Sequence, residues 1–375
     1  QKEGQRAVEE ALAQALEGSG EPVLTFLFTS DSYDHEEVLR EVRARVGDSR
    51  IAGFCCGGLI VGGEVLTQAV AVLTLSGEGL RVATSLKGEL SRDPRRTGRL
   101  VGEELLGSGI DKGTVFVFPD GFSTNVAEAI RGLYEVMGPR FRFVGGGAGD
   151  NLKFFRTYQF TEKGVLSDAM AAALLDGLPV GLAIGHGWKP IGDILVITRA
   201  QGKRVFEING ENAFTAYSRH LGGISMENFA QFAMRHPLGF PDLSGNFLIR
   251  DPLLAHPDGS IEFVSEVPER AVGYIMSCEP QDLIQTAKVV AERALGQVRG
   301  PLFVMVFDCI SRYLLMGEAF QGELGAIGQV LGAGLPTMGI LTFGEVGSFF
   351  DAPLFHNKTV LVAVAGKEPQ GISEG

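Results

Sequence analysis

Thr114-Val115-Phe116-Val117-Phe118 runs straight to Asp120, and the pattern it opens occurs three times in the chain. After Asp120 come a helical stretch, Phe143-Val144-Gly145-Gly146, a glycine-rich turn and Met170-Ala171-Ala172-Ala173-Leu174-Leu175. Upstream, Val23-Leu24-Thr25-Phe26-Leu27-Phe28 leads to Asp31. A helical stretch, Ile51-Ala52-Gly53-Phe54, a glycine turn and Ala69-Val70-Ala71-Val72-Leu73 follow. Downstream, Leu302-Phe303-Val304-Met305-Val306-Phe307 leads to Asp308, a helical stretch, Met338-Gly339-Ile340-Leu341 and Val360-Leu361-Val362-Ala363-Val364. Each unit reads strand, Asp, helix, strand, glycine turn, strand. Short apolar runs between amphipathic stretches predict β-α-β units with buried parallel strands. The strand after each turn is expected to return antiparallel, which makes the sheets mixed. Shared ancestry of the units and the ordinary recurrences of an α/β chain account for the likeness equally well.

The region between the second and third units reads differently. Val180 to Ile184, Ile194 to Thr198 and the segment Gly202 to Gly210 are strand-like. Asn212 is placed to cap a helix running to His220, and Gln281 to Leu295 is a second helix with Leu283, Ala287, Val290 and Ala294 on one face. Arg235 to Gly245 reads as a loop and Asn151 to Phe160 as strand-like. At roughly 100–200 residues per domain, the 375 residues make about two domains. The expected architecture is α/β with α+β mixed sheets: two domains, residues 1–183 and 184–375, each a mixed β-sheet with flanking helices. The boundary is set near Gly177 to Gly187.

Composition narrows the function. Lys plus Arg total 33 against 45 Asp plus Glu, a net charge of -12. Such a surface repels phosphate backbones and anionic headgroups, so neither nucleic acid nor a membrane surface is an expected partner. Arg92 to Arg99 holds four Arg with no aromatic among them and reads as a solvated helix start. The four cysteines, Cys55, Cys56, Cys278 and Cys309, form no Cys-x-x-Cys pair, so a thiolate zinc site is not indicated and a reducing, cytoplasmic setting is expected. Gln1 to Ala15 is polar and carries no signal-peptide pattern; the chain does not open on Met, as a trimmed product would not. No run of eighteen apolar residues is present to span a membrane as a helix.

Several residues carry chemistry. Asp31, Asp120 and Asp308 follow strands, where ligands of open α/β sheets collect. Helix N-capping is the favoured role for Asp31 and Asp120. Gly145 to Asp150 resembles a phosphate-cradling loop but lacks the Gly-Lys-Thr/Ser ending, and a close backbone crossing suits it better. Cys309 and Arg312 share one face of a helical turn, where a guanidinium would favour thiolate or bind a carboxylate. Glu345, His356 and Asn357 supply an acid, an imidazole and an amide, and a Cys309–His356 nucleophile pair is an enzymatic alternative. No histidine pair has helical metal-ligand spacing, so no metal site is expected. Haem needs one axial His in an apolar pocket, and His236 is the candidate for it.

Taken in order, these segments resemble a known family. Gly53-Phe54-Cys55-Cys56-Gly57-Gly58, Val144 to Asp150 and the strand near Ala169 are similar to the FIST N-terminal domain. Thr198-Arg199-Ala200-Gln201-Gly202, Phe206 to Gly210, Cys309-Ile310-Ser311-Arg312, Gly339 to Glu345 and Phe355-His356-Asn357-Lys358-Thr359 are similar to the FIST C-terminal domain. Where the family usually carries Ser and Thr, this chain has Cys55 and Cys56. The resemblance implies a sensory module of intracellular signal transduction that binds amino acids or similar small carboxylates, and a binding protein rather than an enzyme. Implied signalling partners are a histidine kinase or a cyclase; some relatives resemble haem-dependent sensors. The implied ligand residues are Gly146, Gly147, Asp150, Arg199, Cys309, Arg312, Thr342, Glu345, His356 and Asn357.

Overall fold

A computed structural model describes residues 2–18, 20–242, 245–348 and 352–370. Its architecture is the mixed α/β one expected from the strand and helix patterns, and all three units form sheets on one plan. The first strand of each unit is central: Leu24–Ser30, Gly113–Pro119 and Val298–Cys309. The second strand lies parallel beside it: Arg50–Cys56, Phe141–Gly146 and Thr337–Thr342. The last returns antiparallel on the other side: Val70–Leu75, Met170–Asp176 and Val360–Pro369.

What the sequence pattern does not reveal is that the units exchange hairpins in a cycle. The first unit's hairpin, Gly58–Val61 and Glu64–Leu66, pairs with Thr337–Thr342 of the third sheet. The second unit's, Gln159–Thr161 and Gly164–Leu166, pairs with Arg50–Cys56 of the first. The third unit's, Glu345–Gly347 and Leu354–His356, pairs with Phe141–Gly146 of the second. Both halves of the chain therefore contribute strands to each other's sheets across the expected boundary near Gly177 to Gly187.

The inner faces of the three sheets share one core. Phe118 lies 5.6 Å from Phe28 and 5.1 Å from Phe54, ring centre to ring centre, and 6.3 Å from Phe307 of the third sheet. Aromatic rings at these separations add to the burial of their own area. Helices cover the outer faces. Lys2–Leu16 and His35–Val46 lie on the first sheet, Pro94–Leu106 and Val126–Met137 on the second, Pro280–Leu295 and Phe320–Leu331 on the third. The helix starting at Arg92 to Arg99 is capped by Asp93 with Pro94 in its first turn.

Between the second and third units the chain builds a separate, eight-stranded sheet from Lys189 to Ser277 with its own core around Tyr217, Phe229 and Phe263. Asn212 caps Ala213–His220 as expected, accepting from Thr215 N. Arg235 to Gly245 is not a plain loop. Leu238–Pro241 is a strand paired with Phe247–Arg250 and Val272–Ser277; residues 243–244 lie outside the described residues. Asn151 to Phe160 is strand only from Gln159. Its earlier part is a turn folded onto Asp150, whose carboxylate accepts from the backbone N–H of Phe154, Phe155 and Arg156.

Candidate functional site

The three chain crossings, where second strands leave for the neighbouring sheet, meet at one point. Gly57 N donates to Leu341 O (3.0 Å), Gly149 N to Cys55 O (2.9 Å) and Phe343 N to Gly147 O (3.0 Å), a triangle of backbone bonds linking all three units. Side chains do not fit there. A Cβ on Gly149 would sit 2.0 Å from the Phe343 ring, and one on Gly147 2.4 Å from the Phe343 carbonyl oxygen. The Gly145 to Asp150 loop is thus the close backbone crossing its composition indicated.

Beside this node lies a buried polar cluster. Register places Cys309 opposite Thr342 and Asp308 opposite both Leu341 and Val360, so three strand ends of the third sheet converge. Glu345, leaving for the second sheet, pairs with Gly146 and His356. Its carboxyl group accepts from Thr359 N (3.2 Å) and Thr359 Oγ1 (2.6 Å), and Thr342 Oγ1 stands 2.8 Å from Oε1. Burial pushes this carboxyl up to about 7, against the pull of the threonine bonds. His356 Nε2 lies 3.2 Å from Gly347 O, and burial, helped by Arg250, lowers its ring to about 3. Asn357 donates to the His356 carbonyl, and its Oδ1 is buried without a hydrogen-bond donor.

Arg312 is wholly buried and saturated. It donates twice to Glu323 Oε1 and once to Oε2, and also to the carbonyls of His186, Lys358 and Leu283. Its Nε lies 3.3 Å from Asp308 Oδ1. Burial and the neighbouring Glu323 push the Asp308 carboxyl well up, against the pull of Arg312. With its donors occupied, Arg312 locks the helix Ile310–Met316 to three backbone segments. It offers nothing to a ligand in this conformation.

Cys309 is 3% exposed. Burial and Glu345 push its thiol far up, the reverse of the activated thiolate that its spacing to Arg312 suggested. The capping expectation for two aspartates also fails. Asp34, not Asp31, caps His35–Val46, and Asp31 instead binds Lys153 Nζ at 2.5 Å. Asp120 accepts from Phe122 N within a turn, while Asn125 occupies the cap position of the next helix.

Of the expected ligand residues, Gly146, Gly147, Cys309, Arg312, Thr342, Glu345, His356 and Asn357 come together here. Asp150 lies next to the node and holds its own turn. Arg199 stands apart on the strand Lys189–Gln201, its Nε 3.0 Å from Glu207 and its guanidinium over the Phe206 ring. Cavities of about 810, 630, 590 and 170 Å³ lie elsewhere, and none is lined by these residues.

Sequence reasoning missed the charged groups that join this cluster to the inserted sheet. Lys358 is fully buried, with φ 58, and its Nζ lies 3.1 Å from Asp251 Oδ2 and 2.9 Å from the Met234 carbonyl. Ser311 Oγ donates to the same Asp251 oxygen at 2.8 Å. Asp251 is 4% exposed and comes from the inserted sheet; Ser311 and Lys358 belong to the three-sheet body. Trp188 packs under both cations, 5.8 Å from Arg312 and 5.5 Å from Lys358. The positive φ of a non-glycine residue could not be read from its letter, and nothing in the sequence marks Asp251 or Glu323.

Comparison with known proteins adds the family. The FIST N domain matches residues 23–211 and the FIST C domain residues 213–348. This chain belongs to the FIST family. FIST domains are sensory domains of signal transduction. Two relatives, one an uncharacterized protein of Mycobacterium tuberculosis strain H37Rv and one of Mycobacterium bovis, are each 25% identical to this FIST chain over 96% of its length, covering 96% and 95% of their own. An uncharacterized protein of Methanocaldococcus jannaschii is 20% identical over 76% of the chain and 59% of its own length. Among solved structures, Thermotoga maritima PurL complexed with ATP aligns over 78% of the FIST chain and 72% of its own, at 10% identity and a TM-score of 0.24, a level that carries no argument. Among the described residues no helix is long and apolar enough to cross a membrane.

Proposed function

We propose that this FIST chain is a cytoplasmic sensory module that binds a small carboxylate ligand, an amino acid or a close analogue, at the Ser311–Lys358 seam. The observation that carries the reading is the carboxylate already seated there. Asp251, reaching over from the inserted sheet, accepts from Ser311 Oγ and lies against Lys358 Nζ in a buried setting. A hydroxyl and an ammonium group converging on one carboxylate are the elements of a carboxylate receptor. Asn357 Oδ1, buried in the same polar cluster without a hydrogen-bond donor, is an acceptor suited to an amino group. Asp251 acts as an internal stand-in for the ligand. A free carboxylate that takes its place releases the inserted sheet from the three-sheet body, and that movement is the signal passed to a histidine kinase or a cyclase.

The strain in the arrangement supports this reading over a purely structural one. A buried ion pair is weak support for stability, because desolvation offsets the attraction. Lys358 also holds a left-handed backbone, a conformation that costs a non-glycine residue of the order of 1 kcal/mol or more. The test is a thermal-shift and calorimetric screen of amino acids and small dicarboxylates against the native chain and Asp251→Ala. A cognate ligand raises Tm in both and binds the variant more tightly, because it no longer competes with Asp251. If no carboxylate stabilises either protein at saturating concentration, the proposal fails.

A further inference from the structure

The first and second sheets each join the next sheet at a junction of the same design, and the two junctions differ in one acid. In the first sheet, Phe54 of the second strand stands opposite Gln159 of the exchanged hairpin; in the second, Gly146 stands opposite Glu345. The neighbouring backbone bonds agree: Cys55 N donates to Tyr158 O, and Gly147 N to Gly344 O. Counting back four residues along the second strands brings Arg50 and Arg142 to equivalent places. Counting on three residues along the hairpins does the same for Glu162 and Ser348.

At the first junction the residues gather round a carboxylate. Glu162 accepts from Arg50 Nη1 (3.0 Å), from Ile51 N (3.1 Å) and from Thr84 Oγ1 (2.8 Å). Thr84 reaches over from Arg81–Lys87, a closing strand paired with Met170–Asp176, so this carboxylate ties the first sheet to the second. At the second junction the closing strand is Val180–Gly185, paired with Val360–Pro369 of the third sheet. Val82 and Leu86 of one closing strand, and Val180 and Ile184 of the other, pack against the common core, which sets Leu182 in the place of Thr84.

The second junction keeps the arginine and lacks the acid. Arg142 donates from Nη1 to Val180 O (2.6 Å) and from Nη2 to Gln297 Oε1 (2.8 Å). Among the described residues, that leaves three of its five guanidinium N–H groups without a partner. Burial lowers its pKa, and no acid offsets the cost. Beside it lies a cavity of about 170 Å³. Arg142, Phe143 and Ser348, the counterparts of Arg50, Ile51 and Glu162, line it together with the apolar Leu182, Ile184 and Leu361. Drug-sized ligands need roughly 300 Å³ or more, so the space suits a carboxylate with a short apolar tail.

We propose that this cavity is a second carboxylate site. A short-chain monocarboxylate, of the size of acetate or propionate, takes the place that Glu162 fills at the first junction. Its oxygens accept from the Arg142 guanidinium and from the N–H of Phe143, the counterpart of Ile51 N, and its alkyl end lies against Leu182, Ile184 and Leu361. Bound there, it ties the second sheet to the third as Glu162 ties the first to the second. No residue of the Ser311–Lys358 seam lines this cavity, so the site is independent of the one proposed there.

Thermal melting in sodium acetate and sodium propionate, against sodium chloride at equal ionic strength, tests the proposal on the full chain and three variants. The native chain shows a saturable rise in Tm beyond that in chloride, and Arg142→Gln loses it. Ser348→Glu supplies the carboxylate from the chain itself: its Tm without ligand exceeds the native value, and acetate adds nothing beyond chloride. Ser311→Ala, at the seam, keeps the full response. Acetate and propionate acting no more than chloride overturn the proposal, as does a response that survives Arg142→Gln unchanged. A response lost in Ser311→Ala but kept in Arg142→Gln also overturns it, because the carboxylate then binds at the seam.

Discussion

Glu345→Gln isolates the buried acid at the node and makes its charge visible as a pH dependence of stability. The carboxyl is held at about 7 in the fold against an ordinary value of 4.5. At ~1.36 kcal/mol per pH unit that gap comes to about 3 kcal/mol. The sign follows from which state holds the proton. Between 4.5 and about 7 the folded chain binds it and the unfolded chain does not, so this contribution is complete below 4.5 and is lost as pH rises through about 7. Three buried imidazoles act in the opposite sense. His35 and His186, lowered to about 4, and His356, lowered to about 3, favour unfolding as pH falls below 6.5. The native melting curve alone therefore mixes both trends, and the difference between native and variant chains separates them. The amide introduced by Glu345→Gln is a close mimic of the protonated acid. Its oxygen takes the two Thr359 bonds while its NH₂ donates to Thr342 Oγ1, which is free to donate to the Asp308 carbonyl 3.2 Å away. Chemical denaturation at half-unit steps from about pH 4.5 to 8.5 is the assay. Relative to the native chain, the variant gains about 3 kcal/mol across the window, with the gain centred between about pH 5 and 7. A difference that stays flat with pH refutes the claim that Glu345 is protonated by its burial.

Four further outcomes follow from the same geometry. Arg312→Met leaves Glu323 buried without its counter-charge and lowers stability by about 3–5 kcal/mol in urea denaturation, whereas breaking the exposed Arg6–Glu10 pair leaves the transition nearly unmoved. Gly149→Ala drives a methyl group into the Phe343 ring and destabilises by roughly 1–3 kcal/mol or more, while Gly328→Ala, on an open helix face, stabilises by up to about 1 kcal/mol; equal effects would refute the packing argument. Mild alkylation modifies half-buried Cys278 ahead of Cys309, Cys55 and Cys56, and mass spectrometry showing Cys309 labelled first would revive the nucleophile reading. Lys358→Gly relieves the left-handed backbone but strands Asp251, so it loses more stability than Lys358→Arg, measured by thermal melting.

The strands and the α/β class were legible because burial on both faces writes itself as unbroken apolar runs such as Val115 to Phe118. The meeting of Cys309, Thr342 and Glu345 followed from reading them at strand ends, since parallel strands in register carry their last residues to one place. The hairpin exchange was not legible. Gly57-Gly58 and Gly146-Gly147 announce a tight turn, but which sheet the chain enters afterwards is decided by edges contributed from more than a hundred residues away. The state of the site was hidden for the same reason. A Cys three residues before an Arg reads as an activated thiol only while the Arg is unclaimed, and Glu323, on another helix, claims it. Capping failed at Asp31 and Asp120 because each chain continues several residues beyond the strand before its helix begins.

The node and the seam divide the labour within the proposed sensor. At the node, backbone hydrogen bonds join all three units through glycines that admit no side chain, so a displacement there would disturb every sheet of the body at once. At the seam the polar ties between body and inserted sheet include Asp251 with Ser311 and Lys358, Lys358 with the Met234 carbonyl, Arg250 with the Phe355 carbonyl, Lys203 with the Phe122 carbonyl and Lys189 with Asp282, and Ile249 and Met276 share an apolar cluster with Leu283 and Ile310. The inserted sheet has its own core around Tyr217 and Phe263, so it keeps its shape when those ties break. A ligand that competes for Ser311 and Lys358 therefore acts on a joint between two separate cores and moves a preformed unit. The differential affinity this requires comes from Asp251 itself, because only the parted state offers the free carboxylate receptor.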